Sequence, residues 1–217
     1  MSPQVWDFIV ERREDIAYNA FQHVNLVVQA VLLAFVIAVL LAILVTRVPA
    51  LESAANSVSA MGLTIPSLAL LGLLLPIFGI GPITAFAAVA FYAMLPILRN
   101  AVVGLQGVDR TLIESARGMG MSPVGSMLRV QLPLAWPVIL AGVRVSTQMS
   151  MGIAAIAAIV LGPGLGGYIY TGLSQIGGAN ALNQALLGTV GVVILALILD
   201  ALLLLLGRLT TPKGIRV

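Results

Sequence analysis

The sequence contains no cysteine, one histidine and one lysine among its 217 residues. Without cysteine the chain can form neither disulfides nor thiolate metal sites, and a lone His23 provides no basis for a histidine metal centre. The single lysine, Lys213, is followed by Gly214, whereas a phosphate-binding P-loop requires serine or threonine after its lysine. We therefore predict no metal, no ATP and no other cofactor bound by this chain.

Charge is also scarce, because only 9% of the residues are charged and 60% are hydrophobic. Soluble domains carry charge on roughly 25% of their residues. These values predict an integral membrane protein that lies in a lipid bilayer. The net charge of +3 is positive, but the basic residues are scattered between apolar segments rather than collected on one face. This distribution argues against a nucleic-acid partner and relates instead to membrane topology.

Five apolar segments are long enough to cross a hydrocarbon core of ~30 Å as helices. Residues 1–21 precede them and read as a short amphipathic helix at the interface, and the first span would double as an uncleaved signal anchor. The residues after 205 form a short tail. The predicted spans are about residues 24–45, 54–78, 82–103, 134–161 and 185–206.

Proline interrupts the second span at Pro66 and Pro76. Such prolines free backbone carbonyls and kink a helix, which is tolerated where neighbours or a cavity satisfy the freed groups. Two interpretations stay open for Pro66, a packing kink or a hinge that lines a pathway. Tyr92 is a further candidate pathway residue. Aromatic residues at membrane depth are dispersed, however, so an aromatic cage for a quaternary ammonium group is not expected from them alone.

Two ionisable residues, Arg144 and Asp200, fall inside predicted spans. Arg144 lies ~16 Å beyond Pro133 along a helix and Asp200 ~12 Å before Arg208, so their depths are similar. We expect either a buried ion pair or two side chains that extend separately to the interface. A direct contact with a transported solute is a further alternative.

One polar stretch, residues 107–133, interrupts the apolar sequence and is called here the polar loop. Asp109 is a predicted N-cap, and Gly118 and Gly120 are predicted to end the first helix in a left-handed conformation. Ser122 and Pro123 then start a second helix, which Pro133 is expected to close. The sequence predicts a helix, a glycine corner and a helix outside the membrane.

The order Glu114, Ser115, Ala116, then Gly120, then Leu132 and Pro133 resembles the EAA loop in membrane subunits of binding-protein-dependent ABC importers. Ser115 stands where alanine is usual and Val130 where isoleucine is usual. Longer runs around residues 64–82, 91–109 and 132–144 are similar to the osmoprotectant branch of that family, which takes up glycine betaine, choline and carnitine. The resemblance extends over about residues 22–205.

This resemblance implies an all-α membrane protein with the transmembrane domain of a type I ABC importer, five spans and a coupling-helix loop. It also implies ATPase subunits that bind ATP and Mg²⁺, an extracytoplasmic solute-binding protein and a second permease subunit, identical or homologous. By the same resemblance Leu132 and Pro133 close the loop. The residues expected to contact the ATPase are Glu114, Ser115, Ala116, Arg117, Gly118, Gly120, Met121 and Ser122.

Orientation follows from the distribution of lysine and arginine in short loops. With the polar loop inside, eight basic residues lie on the cytoplasmic side and two, Arg12 and Arg13, on the other. The N-terminus is then extracytoplasmic, the C-terminus is cytoplasmic and the membrane is the plasma (inner) membrane. The eight are Arg47, Arg99, Arg110, Arg117, Arg129, Arg208, Lys213 and Arg216.

Residues 162–182 contain seven glycines and no charge. Gly162, Gly164 and Gly167 match G-x-G-x-x-G, but they follow a membrane helix rather than a strand, so the match is attributed to chance. This segment is expected outside the membrane or re-entering it. Tyr168 and Tyr170 are expected to anchor it at the interface.

Three alternatives to an osmoprotectant permease stay open at this point. An ABC permease for amino acids or another small polar solute fits the same spans. Half of an ion-coupled secondary transporter would need ion ligands at the membrane midplane, for which one aspartate and one arginine provide little. A membrane scaffold whose polar loop only recruits a soluble protein is the third.

The charge distribution yields a topology test. A reporter fused after Pro212 should be cytoplasmic, and one inserted between Gly177 and Gly178 should be extracytoplasmic, because the fifth span separates them. Paired alkaline phosphatase and fluorescent protein fusions would measure both positions, and a fusion within the polar loop is the matched cytoplasmic control. Reporters on the same side would contradict the fifth span.

Overall fold

The computed structural model describes residues 3–48 and 50–211, with side chains from residue 6 onward. All the regular structure in this part of the chain is helical, as the composition predicts. The helices are α1 Pro3–Glu11, α2 Arg13–Arg47, α3 Ala50–Thr64, α4 Ser67–Phe78, α5 Pro82–Gln106, α6 Arg110–Gly118, α7 Pro123–Ser126, α8 Leu132–Ile156, α9 Gly166–Ser174 and α10 Ala181–Thr210. A π-helical turn, Met127–Gln131, joins α7 to α8, and a 3-10 turn, Ala157–Val160, ends α8.

Four helical segments in the described residues are long and apolar enough to cross a membrane, namely α2, α5, α10 and the continuous Pro123–Val160 helix. The bent pair α3 and α4 makes up to five. The predicted single second span, residues 54–78, is therefore corrected: its two halves meet at 99°. Pro66 explains the position of the break, because its ring excludes the residue before it from helical geometry.

The N-terminal boundary also differs from the prediction. The amphipathic segment does not end at residue 21, because α2 begins at Arg13 and continues without interruption to Arg47. At ~1.5 Å per residue this helix is ~52 Å long, so it extends well beyond a ~30 Å hydrocarbon core. The predicted span 24–45 is its central part.

α5 lies at the centre of the fold, packed against α8 on one side and α2 on the other. Small side chains allow these backbones to approach closely, as expected in membranes where packing rather than the hydrophobic effect joins helices. The buried face of α2 includes alanine at every fourth residue, Ala30, Ala34, Ala38 and Ala42, together with larger side chains such as Val27 and Val31. Between α5 and α8, Ser146 donates a hydrogen bond to the Ala93 carbonyl at 2.5 Å.

Gly142 marks the closest approach of α8 to α5, because an added Cβ would lie 2.6 Å from Asn100 Cβ and 3.1 Å from the Pro96 carbonyl oxygen. The sequence also predicts a helix contact at the small residues from Gly152 to Ala158. Gly152, at the start of this run, instead faces open space. The contact is made further along that run, where Ala154 and Ala157 are buried.

Gly142→Ala should therefore lower the free energy of unfolding by ~1–3 kcal/mol through overpacking. Gly152→Ala is the matched control in the same helix and should be neutral or gain up to ~1 kcal/mol, because alanine is the better helix former. Thermal unfolding of the purified variants in detergent measures both. Equal midpoints would contradict the close approach.

Candidate functional site

The first helix of the polar loop begins as the sequence predicts. The Asp109 carboxylate accepts a hydrogen bond from the Thr111 backbone amide at 2.8 Å and so caps α6. This bond lowers the pKa of Asp109, so the cap is an anion at neutral pH. An anion at this end also favours the helix dipole.

The corner that follows α6 is a Schellman motif. Gly120 N–H bonds to the Arg117 carbonyl at 2.9 Å, and Met121 N–H to the Ala116 carbonyl at 3.1 Å. Gly120 has a φ of +83°, the left-handed conformation predicted for it. Gly118 was predicted to share this role, but it lies within the helical backbone of α6 and is corrected accordingly.

The second helix starts at its predicted cap, because Ser122 Oγ accepts a bond from the Gly125 amide at 3.1 Å. It does not end at Pro133. The π-helical turn carries the helix from α7 directly into α8, so Leu132 and Pro133 lie inside a continuous helix rather than closing a loop. The wider turn explains this, since proline lacks an amide donor and its ring clashes with the preceding turn of an α-helix.

The polar loop therefore presents a mixed surface. Ala116 is buried and holds α6 against the body, whereas the side chains of Glu114, Ser115 and Arg117 are exposed. The Ser115 hydroxyl donates a hydrogen bond back to the Thr111 carbonyl of the same helix at 2.7 Å. Exposed apolar side chains that the sequence analysis did not select lie beside them: Leu112, Met119, Val124 and Leu128. An exposed apolar surface bordered by charge is typical of a protein interface.

Arg144 and Asp200 form a bidentate ion pair, as one of the expectations had it, but the pair is half-buried rather than buried, with the two side chains 32% and 17% exposed. Arg144 Nε lies 2.9 Å from Asp200 Oδ1, and Nη2 lies 2.9 Å from Oδ2. The pair joins α8 to α10 at membrane depth. Two parallel N–H···O bonds are the strongest geometry for these groups, and pairing avoids an isolated charge in lipid.

Pro66 and Tyr92, selected separately as pathway candidates, meet in the structure. The Tyr92 hydroxyl of α5 donates to the Ile65 carbonyl at the break between α3 and α4. A carbonyl that leaves a helix at membrane depth requires such a donor. The kink is therefore held by α5, which supports the packing interpretation of Pro66.

Tyr168 and Tyr170 were expected to anchor residues 162–182 at the interface, and one of the two differs from this expectation. Tyr168 is buried and its hydroxyl donates to Asp15 Oδ2 of α2, so it is not an exposed interfacial anchor. Burial, with the adjacent Asp15 carboxylate, raises the pKa of Tyr168 and keeps it a donor. Tyr170, by contrast, is 52% exposed.

Glycines within residues 162–167 allow other parts of the chain to approach this segment closely. An added Cβ at Gly164 would lie 2.6 Å from His23 Nδ1, and one at Gly166 would lie 2.2 Å from the Ala155 carbonyl oxygen. His23 is fully buried, with Nε2 3.1 Å from the Met151 carbonyl oxygen. Close packing thus accounts for Gly162, Gly164 and Gly166, whereas an added Cβ at Gly167 would meet nothing within 4 Å.

Fold and site together define a multi-pass helical membrane subunit with a structured loop outside the bilayer. The chain belongs to the family described as "Binding-protein-dependent transport system inner membrane component", whose model matches residues 30–211. It is therefore an inner-membrane permease component of an ABC transporter.

The relatives come from the osmoprotectant branch. The chain is 36% identical to the choline transport system permease protein OpuBB of Bacillus subtilis over 96% of this chain and 94% of the relative. It is 36% identical to the glycine betaine/carnitine/choline transport system permease protein OpuCB of the same organism over 98% and 96%. The osmoprotectant import permease protein OsmW of Salmonella typhimurium is 37% identical over 96% of this chain and 98% of its own.

A solved structure shares the fold. The methionine ABC transporter MetNI in an inward-facing conformation superposes with a TM-score of 0.70 at 25% identity, over 93% of this chain and 96% of that chain. A second crystal form gives 0.71 at 20% identity over the full length of both chains. The type I ABC importer transmembrane fold expected from the EAA resemblance is confirmed.

The Arg144–Asp200 pair makes a direct prediction. Arg144→Ala and Asp200→Ala should each destabilise the subunit, because each leaves an unpaired charge at membrane depth. The loss of stability in the double variant should be smaller than the sum of the two single losses by at least ~1 kcal/mol. Thermal unfolding of the parent, the two single variants and the double variant in one detergent measures this double-mutant cycle.

The control variant is Arg99→Ala, which removes an exposed arginine from the C-terminal half of α5. It should leave the unfolding midpoint close to that of the parent. Strictly additive losses at positions 144 and 200 would show that the ion pair does not contribute to stability.

Proposed function

We propose that this subunit forms half of the translocation pathway of an ATP-driven importer for compatible solutes such as glycine betaine, choline or carnitine. The observation that carries this proposal is the polar loop, in which two capped helices meet at the Gly120 corner and expose Glu114 and Arg117. A loop of fixed shape can dock into a groove on a partner. The names of the osmoprotectant relatives support the solute class.

Energy has to come from that partner, because the sequence contains no P-loop. We propose that two ATPase subunits bind ATP and Mg²⁺ and receive the polar loops of two permease subunits. The residues proposed to make or shape this contact are Glu114, Ser115, Ala116, Arg117, Gly118, Gly120, Met121 and Ser122. ATP binding would close the ATPases, move the loops and turn the pathway from inward to outward facing.

A second permease subunit, identical or homologous, is proposed because one copy has too few spans to enclose a pathway. The exposure of α10 supports this: it is strongly apolar, yet only 6% of its most apolar window is buried within the chain. Lipid and the second permease would cover it. An extracytoplasmic binding protein is proposed to dock on the outer loop after α9, where Ile176 is 81% exposed, and to select the solute.

The proposed orientation has the polar loop and the C-terminus in the cytoplasm. The distribution of lysine and arginine supports it. Two contacts support the part of it that separates the two groups of loops. Arg47 at the C-terminal end of α2 donates to the Pro123 carbonyl, so this end of α2 and the polar loop lie on the same side. Asp15 at the other end of α2 contacts Tyr168, which puts the N-terminal residues and α9 on the opposite side.

An ABC permease for amino acids is the second candidate, favoured by the fold shared with the methionine transporter at 25% identity. The osmoprotectant permeases are more similar, at 36–37% identity. Uptake assays with labelled choline, glycine betaine, carnitine and methionine in membranes containing the whole importer separate these candidates. Methionine uptake alone would replace the proposed solute class.

Gly120→Val tests the role of the polar loop. A β-branched residue at φ +83° costs ~1–2 kcal/mol in the left-handed conformation, so the corner should open and present the wrong surface. Membrane insertion should be normal, while solute uptake and solute-stimulated ATP hydrolysis should fall together by at least ~tenfold. Glu114→Lys should reduce both without altering the backbone.

Gly79→Val is the matched control. Gly79 also has a positive φ, +73°, with ψ −174°, a region nearly restricted to glycine, so valine there imposes at least as much backbone strain at the turn between α4 and α5, and its added Cβ would meet nothing within 4 Å. It should leave solute uptake and solute-stimulated ATP hydrolysis each close to those of the parent. Normal uptake with Gly120→Val would mean that energy enters through another element.

A further inference from the structure

The helix α2 contacts both ends of the subunit. It extends from Arg13 to Arg47, and a side chain near each end bonds to a segment outside the membrane. We propose that α2 is a rigid strut that transmits displacement between the extracytoplasmic segment 162–174 and the polar loop, with Tyr168 and Arg47 as positioning residues. This inference rests on the proposed function and adds a route by which docking of the binding protein reaches the ATPase.

The outer end of α2 is fixed by three contacts within nine residues. Tyr168 of α9 donates to the Asp15 carboxylate, and His23 lies within hydrogen-bond distance, 3.1 Å, of the Met151 carbonyl oxygen. Gly164 lies so close to His23 that no Cβ fits between them. A carboxylate acceptor makes the first bond stronger than a neutral one. Movement of α9 therefore has to move the outer end of α2.

The C-terminal end of α2, at Arg47, has fewer contacts with the polar loop than the N-terminal end has with its neighbours. Arg47 Nη2 donates to the Pro123 carbonyl oxygen at 3.1 Å. A polar cavity lies beside this bond, lined by residues of α2 and α6 that include Thr46, Arg47, Arg110 and Arg117. In the described part of the chain, α2 packs little against α6 or α7. The arginine bond is therefore the contact through which α2 holds the first residue of α7.

Between its ends α2 is suited to move as one body. Its 35 residues contain neither proline nor glycine, whereas α5, α8 and α10 each contain at least one of them. Helices bend sharply at such residues or at π turns, so α2 lacks the usual hinge points. Between Val31 and Val45 its buried residues are all alanine, namely Ala34, Ala38 and Ala42, and this stretch of small side chains allows the small sliding that shear motions need.

The test uses the permease–ATPase complex in nanodiscs with its binding protein, loaded with choline or glycine betaine. Tyr168→Phe removes one hydroxyl, and Arg47→Met removes the donor at similar length. Each variant should retain basal ATP hydrolysis and the Kd of the loaded binding protein. Stimulation of hydrolysis by that protein should fall about five- to tenfold, the lower part of the range for a lost coupling between sites.

Three further variants separate coupling from mere stability. Asp15→Asn weakens the acceptor of the Tyr168 bond and should reproduce Tyr168→Phe, and Arg47→Lys should recover part of the stimulation because lysine can still donate. The double variant Tyr168→Phe with Arg47→Met should lose no more than the more severe single variant, because both bonds lie in series. Multiplicative losses would show two independent routes and overturn the strut.

Matched controls are available on α9 and α5. Tyr170→Phe removes an exposed hydroxyl two residues from Tyr168, and Arg99→Met removes another arginine from the cytoplasmic side. Both should keep full stimulation. Stimulation that survives every variant overturns the strut alone. If the unmodified complex is not stimulated by either solute, the proposed function fails and the strut with it.

Discussion

Backbone polar groups in a hydrocarbon core have no water to bond, and this constraint governs the structure. It requires helices, and it requires a donor wherever a helix breaks. Pro66 breaks the second apolar segment into two helices at 99°, and the Tyr92 hydroxyl supplies the donor for Ile65. The same constraint requires that charges at membrane depth pair, as Arg144 and Asp200 do across α8 and α10.

Outside the bilayer the polar loop obeys local rules. Asp109 and Ser122 each cap a helix, and Gly120 takes the left-handed conformation between them. These features depend on residues within five positions of one another and need no tertiary support. A loop built from such local signals keeps its shape while the helices beneath it move. That property suits an element proposed to pass force from an ATPase to a permease.

The membrane helices differ in stiffness, and this difference has a functional meaning under the proposal. α5 and α8 contain internal prolines, the π turn lies where the polar loop enters α8, and the second apolar segment is broken. These are positions where a pathway can change shape. α2 has no such residue and is bonded at both ends. Flexible elements and one rigid element together allow a displacement on one side of the membrane to have a defined consequence on the other.

The sequence by itself determined the helical class, the membrane location, the approximate spans and the two caps and corner of the polar loop, because each depends on composition or on neighbouring residues. It also limited Arg144 and Asp200 to similar depths, which made a pair one of two outcomes. It did not predict that Pro133 lies in a continuous helix, since the π turn that permits this depends on how α8 meets the rest of the fold. Nor did it predict the bonds of Tyr168 to Asp15, of Arg47 to Pro123 and of Tyr92 to Ile65. These partners are 153, 76 and 27 residues apart, and only the packing of the helices decides which distant side chains meet.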